Sequence, residues 1–241
     1  MGASRLALVV GQLQRGGAER QLFELAIRLD RSRLEPLVIC LSEVIHPYAD
    51  RLRKEGIEVA VLPRAGHRDF SRVRSLAKIL SHRRIDLVHS FLIAANAYTW
   101  AATRLAGGRP YVASSRTCIP PRGRFGHWVH RRAFLDASAV IANAKAVMEF
   151  TRDHYRLPER LFTVIPNGVD LAPFTAAGPG RDARRTMVRA RFSLEEGAVV
   201  QAMWPGSWPA SWGGSRLRRI CRWCWRWRDG CGMLPGRRSV S

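Results

Sequence analysis

A doubly wound parallel α/β sheet is the fold class that this sequence predicts, on three observations. Short apolar runs alternate with amphipathic stretches through the first 165 residues. The runs carry apolar residues at consecutive positions, the mark of strands buried on both faces. Each is separated from the next by enough chain for a helical crossover, which parallel neighbours require.

Taken in order, the apolar runs predict strands at Leu6–Val10, Leu37–Leu41, Glu58–Leu62, Leu87–Ser90, Tyr111–Ser114, Val140–Ala142 and Phe162–Ile165. Helical periodicity fills the intervals around Glu19–Leu29, Pro47–Glu55, Phe70–Arg83, Ala94–Leu105, Phe125–Phe134 and Ala144–Tyr155. A further helical pattern from Arg184 to Phe192 precedes Glu195-Glu196-Gly197 and the apolar run Ala198–Val200, as at the start of a second α/β domain. That domain does not develop. From Trp204 onward the chain holds six of its eight tryptophans, three of its five cysteines and one acidic residue, Asp229, with neither a helical nor a strand period. The expected organisation is a domain over 1–175, a linker and the opening of a second domain over 176–200, and an irregular or disordered tail over 201–241. Out-of-frame reading of GC-rich codons gives this composition, so a frame shift near Val200-Gln201 and a truncated second domain are expected; translating the gene in the other frames tests this.

The 241 residues are 46% hydrophobic, enough to bury one good core. The formal charge is +21, and only Lys54, Lys78 and Lys145 among the 40 basic residues are lysine. Such a field favours phosphate-rich ligands or anionic surfaces. No DNA- or RNA-binding signature accompanies it. The amino-terminal apolar run is too short for a secretory h-region, and no stretch reaches the ~18 apolar residues of a membrane span. A cytoplasmic protein with reduced Cys40 and Cys118 is expected, peripheral at the inner face of the membrane if it docks there. Cys221, Cys224 and Cys231 lack a fourth ligand at metal-site spacing, and no Asp-x-Asp motif is present, so no metal is expected.

Right-handed crossovers place every loop that follows a strand on one sheet edge. Gly16-Gly17, Leu41-Ser42, His89-Ser90, Ser115-Arg116 and Asn143 should therefore face one crevice. Gly16-Gly17-Ala18-Glu19 opens the first helix directly after the first strand, where backbone N–H groups receive phosphate or sugar hydroxyls. The same glycines also suit a tight turn with nothing bound. His89 is equally compatible with a hydrogen-bonded histidine at a strand end, and Arg116 with a solvated arginine. Asn167-Gly168 is a turn signal in its own right.

Three motifs in this order carry a resemblance: Gly16-Gly17-Ala18-Glu19-Arg20-Gln21-Leu22, Asp86-Leu87-Val88-His89-Ser90, and Val164-Ile165-Pro166-Asn167-Gly168-Val169-Asp170. From about Leu6 to about Val200 the chain resembles the amino-terminal half of a family-4 glycosyltransferase, a retaining, nucleotide-sugar-dependent enzyme of GT-B architecture with Rossmann-like halves. The resemblance implies transfer of a hexosyl unit to a polysaccharide or lipid-linked acceptor, with no cofactor beyond the nucleotide-sugar donor. It implies that Gly16, Gly17 and Glu19 approach the donor phosphates or sugar, and that His89 lines the transfer site as the catalytic candidate. It places Arg116 and Asn96 on the acceptor side, and Asn167, Gly168 and Asp170 in the interdomain turn. Two departures are visible. Phe91 stands where many relatives carry a second histidine, leaving an aromatic wall. The donor-gripping basic residue and paired glutamates of the second domain have no counterpart, so little transfer by this chain alone is expected. The alternative is a non-catalytic acceptor-binding or membrane-surface subunit that works with a separate donor domain.

Overall fold

The computed structural model describes residues 2–63, 70–119, 123–171 and 180–194. The tail expected over 201–241, the Glu195-Glu196-Gly197 turn and the Ala198–Val200 run lie outside the described residues. Two compact units are present, Met1–Asp170 and Leu171–Ser241.

In the first unit, strands β1 (Ser4–Val10), β2 (Leu34–Cys40), β3 (Glu58–Val61), β4 (Leu87–Phe91), β5 (Tyr111–Ser115), β6 (Ala139–Ala142) and β7 (Phe162–Val164) alternate with helices α1 (Gly17–Arg28), α2 (Tyr48–Lys54), α3 (Phe70–His82), α4 (Ile93–Leu105), α5 (Gly123–Leu135) and α6 (Lys145–Tyr155). All strand pairs are parallel, in the order β3-β2-β1-β4-β5-β6-β7. In the second unit the described residues form one helix, α7 (Gly180–Arg191).

Period-two alternation along the strands assigns their side chains to the two faces. Ala7, Val9, Leu37, Ile39, Val88, Tyr111, Ala113 and Val140 join a core with Leu76, Leu80, Ala95, Ala102, Phe134 and Tyr155 from the helices of one face. Leu6, Leu8, Val10, Val38, Cys40 and Phe91 join the opposite core with Leu22, Phe23, Ala26, Ala49 and Leu52. Both faces are apolar and covered, which is why the strands read as unbroken apolar runs.

The connections reverse direction between β1 and β4: β1 continues to β2 on one side and pairs with β4 on the other. Such a switch point opens a crevice at the carboxyl ends of the strands. Leu92, immediately after β4, has φ 72 and ψ 158, a region that β-carbon sterics leave essentially to glycine. Strain of this kind costs on the order of 1–3 kcal/mol, and here it sits beside the crevice.

Candidate functional site

The α1 start is the first element of the crevice, and its geometry differs from the expectation. Gly16 is the N-cap with φ −161 and ψ 161, extended backbone open to any residue. The turn itself therefore does not require glycine. The reason for a bare Cα lies three residues on, where Glu19 is 4% exposed and folds back so that a Cβ on Gly16 would overlap its carboxylate. Gln12 Nε2 donates to Glu19 Oε1 at 3.4 Å. A carboxylate thus already meets the positive end of the α1 dipole, and the bare anion-binding helix start expected from the sequence is not what the chain builds. At Gly17 a Cβ would meet nothing, so a ligand can approach the backbone there. Gly16→Ala is expected to destabilise the protein by about 1 kcal/mol by displacing Glu19, and the penalty should vanish in a Glu19→Ala background; chemical denaturation of the four-member cycle checks this.

β4 supplies His89, which is 9% exposed and shares a 2.8 Å hydrogen bond between its Nε2 and Ser114 Oγ on β5. Burial, reinforced by the nearby Arg116 charge, pushes its pKa down to about 3. At neutral pH it is an uncharged imidazole that both donates and accepts. Phe91, expected as an aromatic wall, is instead fully buried, with its ring 4.4 Å from that of His89. The guanidinium of Arg116 rests over the Phe91 ring at 4.8 Å.

Asn96 departs furthest from its expected place. It is 1% exposed, and its side chain accepts from Ser90 Oγ at 2.7 Å and donates to Ser114 O at 3.1 Å. Both ends of the amide are used to join β4, α4 and β5, so the expected acceptor contact gives way to a clip that holds the strand ends.

The segment after β7 closes the arrangement. Ile165 N bonds Ala142 O at 2.9 Å, extending the ladder. Arg116 Nη1 donates to Asn167 Oδ1 at 2.8 Å. Gln21 then grips Gly168 twice, its Nε2 donating to the carbonyl at 2.8 Å and its Oε1 accepting from the N–H at 3.0 Å. These bonds hold residues 165–168 beside α1.

Between them opens a cleft of about 460 Å³ lined by Gln21, Glu24, Leu25, Arg28, His89, Arg116, Ile141, Ile165, Pro166 and the run Asn167–Asp170. The structure therefore brings His89, Arg116, Asn167, Gly168 and Asp170 together. Gly16, Gly17, Glu19 and Asn96 are not among its walls. The α1 contribution was missed by sequence reasoning, yet a signal existed: Gln21, Glu24, Leu25 and Arg28 follow i, i+3, i+4, i+7 spacing, a second stripe beside the buried Leu22, Phe23 and Ala26. Apolar lining comes from Leu25, Ile141, Ile165, Pro166 and Val169, with Ile165 and Val169 at least half exposed. Among the described residues no group of three His, Cys, Asp or Glu side chains is placed to hold a metal ion.

A Rossmann-like parallel sheet with a cleft at its switch-point edge defines the class: one half of a GT-B architecture. The sequence profile of Glycosyltransferase Family 4 matches residues 15–173, and the chain belongs to that family. Among solved structures, Anabaena HepE in complex with UDP-glucose matches with a TM-score of 0.62 at 20% identity, covering 78% of this chain and 50% of HepE. A glycosyltransferase from Rickettsia africae matches with a TM-score of 0.62 at 17% identity over 85% of this chain and 55% of the other. The lipopolysaccharide outer core galactosyltransferase WaaB, in its apo form, matches at 0.54 and 14% identity over 74% and 50%. At these identities the likeness is one of fold. The chain spans about half the length of each. A search of curated proteins finds no significant match.

Proposed function

We propose that the protein takes part in a retaining glycosyl transfer, moving a hexosyl unit from a nucleotide-sugar to a polysaccharide or lipid-linked acceptor, with the cleft as its ligand site. The observation that carries this reading is the meeting of His89, Arg116 and the Asn167-Gly168 turn around one cleft, in a chain of glycosyltransferase family 4. HepE has been solved with UDP-glucose, which makes a nucleotide-sugar the donor class to try first. Because the chain matches half of such structures, the complete reaction is assigned to it together with a donor-holding half.

In this reading the neutral His89 imidazole hydrogen-bonds a sugar hydroxyl beside the reacting centre, and exposed Ile165 and Val169 receive the C–H faces of the ring. Gly17 lets the donor approach the α1 backbone, with Gly16 and Glu19 setting the shape of that loop. No step calls for a metal or further cofactor, and the work of the site is orientation and exclusion of water. The test is product formation from a panel of nucleotide-sugars and glycan or lipid-phosphate acceptors. A new glycosidic bond with the donor's anomeric configuration supports the reading; an inverted product overturns the retaining mechanism, and the absence of binding by nucleotide-sugars and acceptors alike overturns the assignment of the cleft.

A second reading is favoured by α5. Phe125 and Trp128 are 77% and 52% exposed and stack at 6.2 Å, next in the helix to exposed Arg124. Aromatic and basic side chains on one helix suit an anionic lipid surface, which would hold the protein at the inner face of a cytoplasmic membrane. Phe125→Ala combined with Trp128→Ala is expected to weaken co-sedimentation with anionic vesicles by at least fivefold and to leave neutral vesicles unchanged. Equal sedimentation of both proteins would remove this reading.

A further inference from the structure

Arg116 stands out in the cleft by what it lacks. It follows β5 directly, lies over Phe91, and donates to a single protein acceptor among the described residues, Asn167 Oδ1. Its Nε is buried without an acceptor. No carboxylate of the described residues reaches it at ion-pair distance. The other arginine of the cleft, Arg28, is neutralised by an ion pair with Glu24. His89 beside it carries no charge at neutral pH. A half-buried cation is costly unless an anion meets it, and a guanidinium with free N–H donors is the side chain that best fits a planar or tetrahedral oxyanion.

We propose that the cleft takes a ligand bearing a phosphate-type oxyanion, which pairs with Arg116 while the sugar or apolar part lies along Leu25, Ile165 and Val169. Asn167 and the Phe91 ring hold the guanidinium in place, so the unfilled donors are preorganised. This rests on the cleft being the ligand site. It goes further by naming the charge of what enters. The oxyanion has two sources, the diphosphate of a nucleotide donor or a phosphate carried by a lipid-linked acceptor.

The experiment is calorimetric titration of the full chain with UDP, a short-chain prenyl phosphate, inorganic pyrophosphate and a neutral alkyl glucoside. Wild type is expected to bind at least one organic phosphate tenfold or more tightly than the neutral glucoside, and Arg116→Gln to lose that margin while keeping glucoside binding. Arg116→Lys keeps the charge without the planar fork and should recover part of the margin; it gives the same reading at smaller amplitude if Arg116→Gln does not fold. Preference for UDP assigns the oxyanion to the donor, and preference for the prenyl phosphate assigns it to the acceptor. Organic phosphate affinity that is unchanged in both variants, or no higher than that of the glucoside in wild type, overturns the proposal. Glucoside binding with no gain from phosphate sinks this inference alone, whereas no binding of any probe sinks the reading of the cleft with it.

Discussion

Replacing Asn96 by alanine is expected to remove about 2–4 kcal/mol of stability, a fall of roughly 5–12 °C in Tm for a protein of this size. The amide is 1% exposed and bridges Ser90 Oγ and Ser114 O, so its loss leaves the buried hydroxyl with only its longer 3.4 Å bond to Val112 O and takes a donor from a buried carbonyl. Ser90 adjoins His89 in β4 and Ser114 is the hydrogen-bond partner of His89, so the same change loosens the imidazole. An acceptor-binding role predicts the opposite pattern: an unaltered Tm and a weakened acceptor. Thermal unfolding monitored by circular dichroism decides between them, and a change within about 0.5 kcal/mol, as for an ordinary surface site, would refute the clip.

The second large effect is a pH dependence. His89 titrates at about 3 in the folded protein because burial, with help from Arg116, disfavours its cation. In the unfolded chain it titrates near 6.5. Between these values the unfolded state holds the extra proton, so this contribution to stability is fully present above pH 6.5 and is lost as pH falls toward 3. The loss amounts to about 2–3 kcal/mol between pH 6 and pH 4. His130, also lowered by burial and by His127, adds in the same direction. In His89→Asn the fall over that interval should shrink by most of the His89 share, measured by denaturant unfolding at each pH. Parallel curves for the two proteins would mean that His89 is charged or exposed in the folded state.

The order of strands and helices was legible because each strand is apolar on both faces and each helix is amphipathic, and the two-core arrangement repeats that pattern in space. The gathering of His89, Arg116, Asn167 and Gly168 on one edge was legible too, since right-handed crossovers determine where strand ends go. What escaped the sequence were side-chain commitments across long separations. Gln21 and Gly168 are 147 positions apart, and nothing local in Gln21 announces that its amide matches the donor and acceptor of one distant peptide. Asn96 read as an available polar group, while only the fold shows that both its ends are occupied. Gly16 carried the correct signal for the wrong cause: its missing Cβ makes room for Glu19, and not for a tight turn or a ligand. Phe91 likewise supports Arg116 from beneath and does not form a wall of the cleft.

If the cleft between α1 and the turn after β7 is where ligand enters, removing one anchor of that turn should be felt at once. Gln21→Ala deletes both bonds to Gly168, and the Gly168 amide, which donates to Gln21 Oε1, should exchange with solvent at least tenfold faster.

The most direct measurement of the central claim is a backbone amide NMR map of the full chain titrated with nucleotide-sugars and phosphorylated glycosides. Shifts concentrated at Gly17, Gln21, Leu25, His89, Arg116 and residues 167–170, and sparse elsewhere, are the predicted result. Saturable shifts confined to α5, or to surfaces away from the strand ends, would contradict it.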